Sequence, residues 1–159
     1  ELTLEELEKV GIISFRKFLN YYMNNDFIVF LEIKKDIINK QIIENISDIF
    51  HEYLEMGLNI NNFYIQSFYA QHILDLLKYI PFINYGIIYE GIPLNKYHDI
   101  NYISCTFVTI SIECYDSIFV SDMKKLGIRV YVYTITDSKY IDMLSKDGID
   151  GFFVDYSNI

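Results

Sequence analysis

The sequence lacks several features that would mark a function directly. Its two cysteines, Cys105 and Cys114, form neither a metal-binding spacing nor a disulfide framework, and we expect both to be buried thiols. Neither G-x-G-x-x-G nor G-x-x-x-x-G-K-S/T occurs, which leaves a dinucleotide or nucleoside triphosphate site without support. No apolar run approaches the roughly 18 residues that a membrane-spanning helix needs.

Basic side chains are also scarce. Thirteen lysines and arginines stand against 22 acidic residues, for a formal net charge of −9. This balance opposes binding to a phosphate backbone, so we expect no nucleic-acid partner. It leaves a small phosphorylated substrate open, because one metal ion and one lysine reverse the potential inside a cleft. With no signal-peptide pattern at its start, the chain is expected to be cytoplasmic and cut from a longer protein.

The composition that is present favours one folded domain. The chain has 159 residues, of which 52% are hydrophobic and 22% charged. That length suits a single domain over residues 1–159, and that hydrophobicity excludes intrinsic disorder.

Hydrophobic periodicity alternates between 3.6 and 2 residues and predicts helices between strands. Six strands are predicted, at 27–33, 63–67, 83–89, 102–108, 128–135 and 151–155. Helices are predicted at 2–10, 15–22 after the cap Ser14, 38–56, 70–79, 115–126 and 138–146. The first strand reads as an apolar run buried on both faces. This rhythm indicates a parallel α/β sheet, and it fits a doubly wound sheet and a (β/α)₈ barrel equally well.

The most informative polar pair is Glu32 and Lys34, at the end of the first strand. Residues two apart on a strand point to the same face. A carboxylate and an ammonium are costly to bury there unless they pair or bind a ligand. Glu32 could hold Mg²⁺ or Ca²⁺, and Lys34 could meet a phosphate. A partly buried ion pair explains the spacing equally well, so both interpretations stay open.

Several segments resemble the glycerophosphodiester phosphodiesterase family, in the order that the family shows. LEIKK (31–35) is similar to its E-x-K strand, and IQSF (65–68) to its Q-S-F motif. LTLEEL (2–7) and GIISFRKFL (11–19) resemble the helical region before that strand. YVYTITD (131–137) and DGIDGFFVDY (147–156) resemble its W-T-V-N and G-V-D-G-I-I-T-D-Y-P endings. The resemblance extends over nearly the whole chain.

This resemblance implies a fold, a reaction and site residues. The fold would be an α/β TIM barrel, and the reaction the metal-dependent hydrolysis of a small glycerophosphodiester to glycerol 3-phosphate and an alcohol. The cofactor would be a divalent cation, Ca²⁺ or Mg²⁺, with Glu32 as a metal ligand and Lys34 as a phosphate contact. Gln66 would lie near the active-site mouth. Tyr133 stands where the family usually has Trp and would form an aromatic wall.

The resemblance also has departures. Val154 replaces the usual Thr, and Ser157 stands where Pro is expected. The family's H-R-G, E-x-D and H-D segments would lie before residue 1, so the general acid and general base histidines are expected outside this chain. His51 and His72 are interpreted as exposed or structural. His98 and the aspartate after it spell H-D, but they follow the wrong strand.

The expected barrel is incomplete. A TIM barrel typically needs about 250 residues, so 159 residues supply about six of its eight units. Interior residues such as Phe30, Ile65 and Val130 would then be open on one side. We therefore expect self-association, or a separate N-terminal segment that completes the barrel. Alone, the chain should be inactive or nearly so, because loss of general acid–base catalysis typically costs about 10² to 10⁴ in rate.

Two other functions stay open at this point. One is a non-catalytic binding or interaction relative of the same fold, and the other is a different sugar-phosphate TIM-barrel enzyme. Retention of both Glu32 and Lys34 favours an enzyme.

Overall fold

The computed structural model describes residues 3–25, 27–34 and 39–156, except for the side chains of Lys96, Tyr97, Asp99 and Tyr102. The predicted helix starts at residues 2 and 38, and the departure at Ser157, lie outside the described residues. Strands in this part of the chain are β1 (Val29–Glu32), β2 (Phe63–Ser67), β3 (Asn84–Tyr89), β4 (Phe107–Ser111), β5 (Arg129–Ile135) and β6 (Gly151–Val154). Helices are α1 (Leu4–Lys9), α2 (Phe15–Tyr22), α3 (Lys40–Glu55), α4 (Ala70–Leu77), α5 (Lys96–Ile103), α6 (Ser117–Lys125) and α7 (Lys139–Lys146).

The described strands form one parallel sheet, and its topology decides between the two predicted architectures. Their order in the sheet follows the chain, β1-β2-β3-β4-β5-β6, and every adjacent pair is parallel. A doubly wound sheet reverses its strand order at a switch point, whereas a barrel adds strands in one direction. The observed order is that of a (β/α) barrel, and the α/β prediction is confirmed.

Helix boundaries follow local capping chemistry. The Ser14 side chain accepts a hydrogen bond from the Lys17 N–H at 3.2 Å and begins α2, as predicted. Asn39 caps α3 in the same way, with its side chain accepting from the Ile42 N–H at 3.0 Å. After α3 the chain turns at Gly57, whose φ of +96° is readily adopted only by glycine.

Alternate strand residues face opposite sides of the sheet. Ile65 and Val130 are completely buried among the side chains beneath the helices. Phe30 lies on the other face, where its ring contacts those of Tyr64 and Tyr131, the chain neighbours of that buried pair. The prediction for Phe30 as an interior residue is confirmed. The prediction that Ile65 and Val130 would also face the interior and be open on one side is wrong.

The first strand differs from its prediction. We expected β1 to be buried on both faces, but Val29 alone is buried and the next three residues are half-buried. The physical reason is position: in the described chain β1 pairs with one neighbour, β2, and lies at the edge of the sheet. The apolar run therefore predicted the strand correctly, but it did not predict how far the strand is buried.

The fourth strand is also displaced from its prediction. Residues 102–108 were predicted as a strand, but α5 extends to Ile103 and β4 begins at Phe107. Ile100 and Ile103 are each 1% exposed. Because the end of the helix is buried, its sequence is as apolar as that of a strand. Ser104 ends the helix in a left-handed conformation, with φ of 55°. A non-glycine residue in that conformation is uncommon and gives no clear sequence signal.

The cysteines agree with their prediction in part. Cys105 is buried in the hydrophobic core, and Cys114 is half-buried after β4 and packs against that core. Among the described residues, no helix combines the length and apolar character required to cross a membrane.

Candidate active site

Aromatic rings fill the interior face of the sheet below the carboxyl ends of its strands. The ring of Phe30 lies 4.8 Å from that of Tyr64, 5.7 Å from Phe107, 4.9 Å from Tyr131 and 5.1 Å from Phe153. We call these five residues the aromatic floor. They fill the interior on the side away from the carboxyl ends of the strands.

Gly86 makes room for this floor. A Cβ at this position would lie 2.4 Å from the nearest ring atom of Phe107, which is closer than non-bonded carbon atoms approach each other in proteins. Glycine in the middle of β3 therefore reflects the close approach of an aromatic side chain from β4. The Phe107 ring can occupy its place only because residue 86 has no side chain.

A pocket of about 180 Å³ opens above the aromatic floor. It lies at the carboxyl ends of the strands, where parallel α/β proteins place their ligands. Its lining combines one carboxylate, one amide and three hydroxyl groups with aromatic and aliphatic side chains: Glu32, Gln66, Phe68, Ile88, Thr109, Tyr133, Thr134 and Phe153.

Glu32 and Lys34 form an ion pair at the pocket rim. Lys34 Nζ lies 2.5 Å from Glu32 Oε1, and their side chains are 64% and 27% exposed, respectively. An ion pair this exposed contributes only about 0–1 kcal/mol to stability, so it adds little to the fold. Glu32 lines the pocket, and Lys34 is held above it through this contact.

Gln66 and Thr109 form a buried hydrogen bond inside the pocket. Thr109 is 1% exposed, and its Oγ1 donates to Gln66 Oε1 at 2.7 Å. Gln66, 6% exposed, lies beside Glu32 across the β1–β2 register. Uncharged polar groups buried this deeply are stable only when hydrogen-bonded, and this contact satisfies both side-chain oxygens.

Ser67 joins the ends of β1 and β2 beside the pocket. Its Oγ donates to the Ile33 carbonyl at 2.8 Å and lies 3.1 Å from His72 Nδ1. The same oxygen accepts from the Tyr69 N–H at 3.2 Å. Ser67 is fully buried, so the serine of the Q-S-F motif stabilises the pocket edge.

Tyr133 supplies an aromatic wall. Its ring meets Phe68 edge-on, with centroids 6.3 Å apart, and its hydroxyl donates to the Tyr89 carbonyl at 3.4 Å. The peptide bond from Tyr133 to Thr134 is cis. Burial raises the pKa of the Tyr133 phenol to about 12, and nearby Glu90 adds to the rise. The phenol therefore stays neutral at physiological pH and does not act there as a base.

The structure brings together most of the residues proposed from the sequence. Glu32, Gln66 and Tyr133 line one pocket, and Lys34 contacts its carboxylate from the rim. Sequence reasoning assigned no site role to the other five lining residues: Phe68, Ile88, Thr109, Thr134 and Phe153. Thr109 was missed because the predicted strand ended at Val108, whereas β4 extends to Ser111. Phe68 is the last residue of the Q-S-F motif, and the motif could have identified it as a pocket residue.

The histidines lie elsewhere in the described structure, and none of them lines the pocket. His51 Nε2 lies 3.4 Å from the Tyr79 carbonyl, and its ring contacts Phe82. His72 contacts Ser67, which agrees with a structural role. His98 is exposed on α5.

Carboxylates in the described chain do not gather into a preformed metal cluster. No group of three or more His, Cys, Asp or Glu side chains among these residues is arranged to hold a metal ion. Glu32 supplies one oxygen donor at the pocket, which is the ligand type that Mg²⁺ and Ca²⁺ prefer.

A singly wound parallel sheet with a pocket at the carboxyl ends of its strands defines a (β/α)-barrel protein. The model of the glycerophosphoryl diester phosphodiesterase family matches residues 2–159, and the chain belongs to this family. A search of curated proteins finds no match.

Solved structures with the same fold agree with this assignment. A protein from Galdieria sulphuraria, described as a glycerophosphodiester phosphodiesterase, has a TM-score of 0.84 and 16% identity, and the match covers 98% of this chain and 67% of that one. An Oleispira antarctica phosphodiesterase in complex with its product sn-glycerol-3-phosphate has a TM-score of 0.76 and 22% identity, with 91% and 58% covered. At these identities the likeness shows the shared partial TIM barrel.

A third structure has a different substrate. The Bacillus subtilis YkuI protein, with an EAL domain, in complex with its substrate c-di-GMP and calcium, has a TM-score of 0.72 and 13% identity. The match covers 96% of this chain and 43% of that protein. The present chain therefore spans between about two fifths and two thirds of the length of these three proteins.

Proposed function

We propose that the protein hydrolyses glycerophosphodiesters to glycerol 3-phosphate and an alcohol, with the glycerol phosphate part held in the pocket above the aromatic floor. One observation carries the proposal: Glu32, Gln66 and Tyr133 line a single pocket in a member of this family. The product bound to the Oleispira relative has the chemistry that such a pocket suits.

The roles follow from the chemistry of each side chain. Lys34 would neutralise a phosphate oxygen, and Glu32 would bind a divalent cation, Ca²⁺ or Mg²⁺, through one carboxylate oxygen. When bound, the cation would offset the negative charge of the phosphate. Because Lys34 and Glu32 now contact each other, ligand binding would separate them. Tyr133 and Phe68 would pack against the glycerol or the leaving alcohol.

With Glu32 assigned to the cation, we propose that proton transfer involves groups beyond the described pocket residues. The pKa of Tyr133 is too high for a base at neutral pH, and the histidines of the described chain lie outside the pocket. We therefore propose that the 159 residues bind the substrate but hydrolyse it poorly on their own. The same observation favours a second candidate function, a non-catalytic relative that binds glycerol phosphates through this pocket.

The test measures cation-dependent release of glycerol 3-phosphate from glycerophosphocholine. It compares the natural full-length protein with Glu32→Gln and with Glu55→Gln, an exposed carboxylate on α3. Hydrolysis that needs the cation and falls at least about 100-fold in Glu32→Gln alone would support the proposal. Binding of glycerol 3-phosphate without hydrolysis would favour the non-catalytic function. Neither binding nor hydrolysis would contradict both, and leave a different sugar-phosphate substrate to be sought.

A further inference from the structure

In the hydrogen bond between Thr109 and Gln66, the threonine hydroxyl donates to the amide oxygen, which leaves the amide NH₂ group for the pocket. The two residues come from β2 and β4, alternate strands that contribute to one interior layer of a barrel. β3 lies between them, and Gly86, the β3 partner of Gln66, adds no side chain there. The Thr109 hydroxyl can therefore reach the amide across the intervening strand.

The contact leaves one end of the amide unused. A glutamine amide has an oxygen that accepts and an NH₂ group that donates two hydrogen bonds. Thr109 occupies the oxygen, and no hydrogen bond from Gln66 Nε2 to another described residue is present. Gln66 is 94% buried and lines the pocket, so its free donors face the space where a ligand would lie. Gln66 Nε2 is not among the described side-chain atoms that are both buried and unpaired, so it is open to the pocket, and a bound acceptor would replace solvent there.

The electrostatics of the pocket favour the same orientation. Glu32 lies beside Gln66 in the register and presents a carboxylate to the same pocket. An amide oxygen turned towards this carboxylate or towards a phosphate would meet like charge, whereas N–H groups meet opposite charge. A threonine hydroxyl can donate or accept, so the Glu32 carboxylate is what disfavours the reversed amide, and Thr109 supplies the donor that the amide oxygen needs in the observed orientation.

We propose that Thr109 is a positioning residue that holds the Gln66 amide with its N–H groups towards the pocket, where they donate to a phosphate or hydroxyl oxygen of the ligand. The identity of the ligand rests on the proposed function. The orientation of the amide does not, because it follows from two described neighbours together, the Thr109 hydroxyl and the Glu32 carboxylate.

The first experiment measures binding of glycerol 3-phosphate to the 159-residue chain and three variants. Thr109→Val keeps the shape of threonine without its hydroxyl, Thr109→Ser keeps the hydroxyl, and Gln66→Leu removes the amide. We expect Thr109→Val to weaken binding about 10-fold, as for loss of one hydrogen bond to a charged group, and Thr109→Ser to bind within about twofold of the wild type. In a Gln66→Leu background, Thr109→Val should have no further effect.

The second experiment observes the amide directly, by NMR of the ¹⁵N-labelled Gln66 side chain. In the wild type we expect one set of NH₂ resonances, which shift when glycerol 3-phosphate or inorganic phosphate is added. In Thr109→Val the resonances should broaden or split as the amide samples both orientations. Unchanged resonances in Thr109→Val, or equal loss of binding with and without Gln66, would overturn the proposal. If no phosphate compound binds the wild type but the resonances respond to Thr109→Val, the substrate assignment fails while the positioning role stands.

Discussion

The ring of Phe30 on β1 meets the ring of Phe153 on β6 edge-on, with centroids 5.1 Å apart. These strands are the first and last of the described sheet and do not pair with each other. Their contact shows that the sheet curls far enough for its two edges to share an interior. The pocket can therefore include Glu32 from one edge and Phe153 from the other.

The contact between Phe30 and Phe153 should stabilise the curled sheet measurably. Truncating Phe30 to Ala removes a side chain packed against four other rings and should cost about 3 kcal/mol in the free energy of unfolding. A double-mutant cycle with Phe153→Ala should give a coupling energy of about 0.5–1.5 kcal/mol from urea denaturation. Phe152, 37% exposed on the other face of β6, provides the matched control. Zero coupling would mean that the edges do not meet.

Gly86 should not tolerate even one added carbon. Gly86→Ala would place a Cβ 2.4 Å from the Phe107 ring, and displacing that ring should cost about 1–3 kcal/mol. Gly91→Ala is the control, since nothing lies within 4 Å of its Cβ and its change in stability should stay within about 0.5 kcal/mol. Chemical denaturation of both variants measures the difference, and equal stabilities would contradict the close approach.

Ser67 should matter for stability through hydrogen bonding alone. Ser67→Ala leaves the Ile33 carbonyl and the Tyr69 N–H without their partner and should cost about 1–3 kcal/mol. Ser121→Ala, exposed on α6, should be close to neutral. Hydrogen exchange should also quicken at the end of β1, because the serine holds this edge to β2. Loss of stability without faster exchange there would argue against that local role.

The raised pKa of Tyr133 predicts a specific alkaline effect. Its phenol titrates at about 12 in the folded protein and near 10 when unfolded, so its contribution to stability is fully present below about pH 10. Between pH 10 and 12 the unfolded chain loses this proton first, and the contribution disappears. The stability difference between the wild type and Tyr133→Phe should therefore change across this window and stay constant below it. A constant difference up to pH 12 would contradict the burial of this phenol.

Local sequence patterns determined the order and type of most elements. Period-2 runs located five of the six strands to within a few residues, and Ser14 marked a helix start. These predictions succeed because backbone preference, capping and amphipathic period act over a few neighbouring residues. Glu32, Gln66 and Tyr133 could be proposed as site residues, because strand ends and the family resemblance both pointed to them.

Tertiary structure alone decided which residues meet. The end of α5 and the start of β4 share an apolar composition, so the sequence could not separate them, and Thr109 was missed as a result. The bond from Thr109 to Gln66 and the contact of Phe30 with Phe153 join residues 43 and 123 positions apart. Such contacts depend on the register and curvature of the whole sheet, which packing across the interior sets and no local pattern encodes.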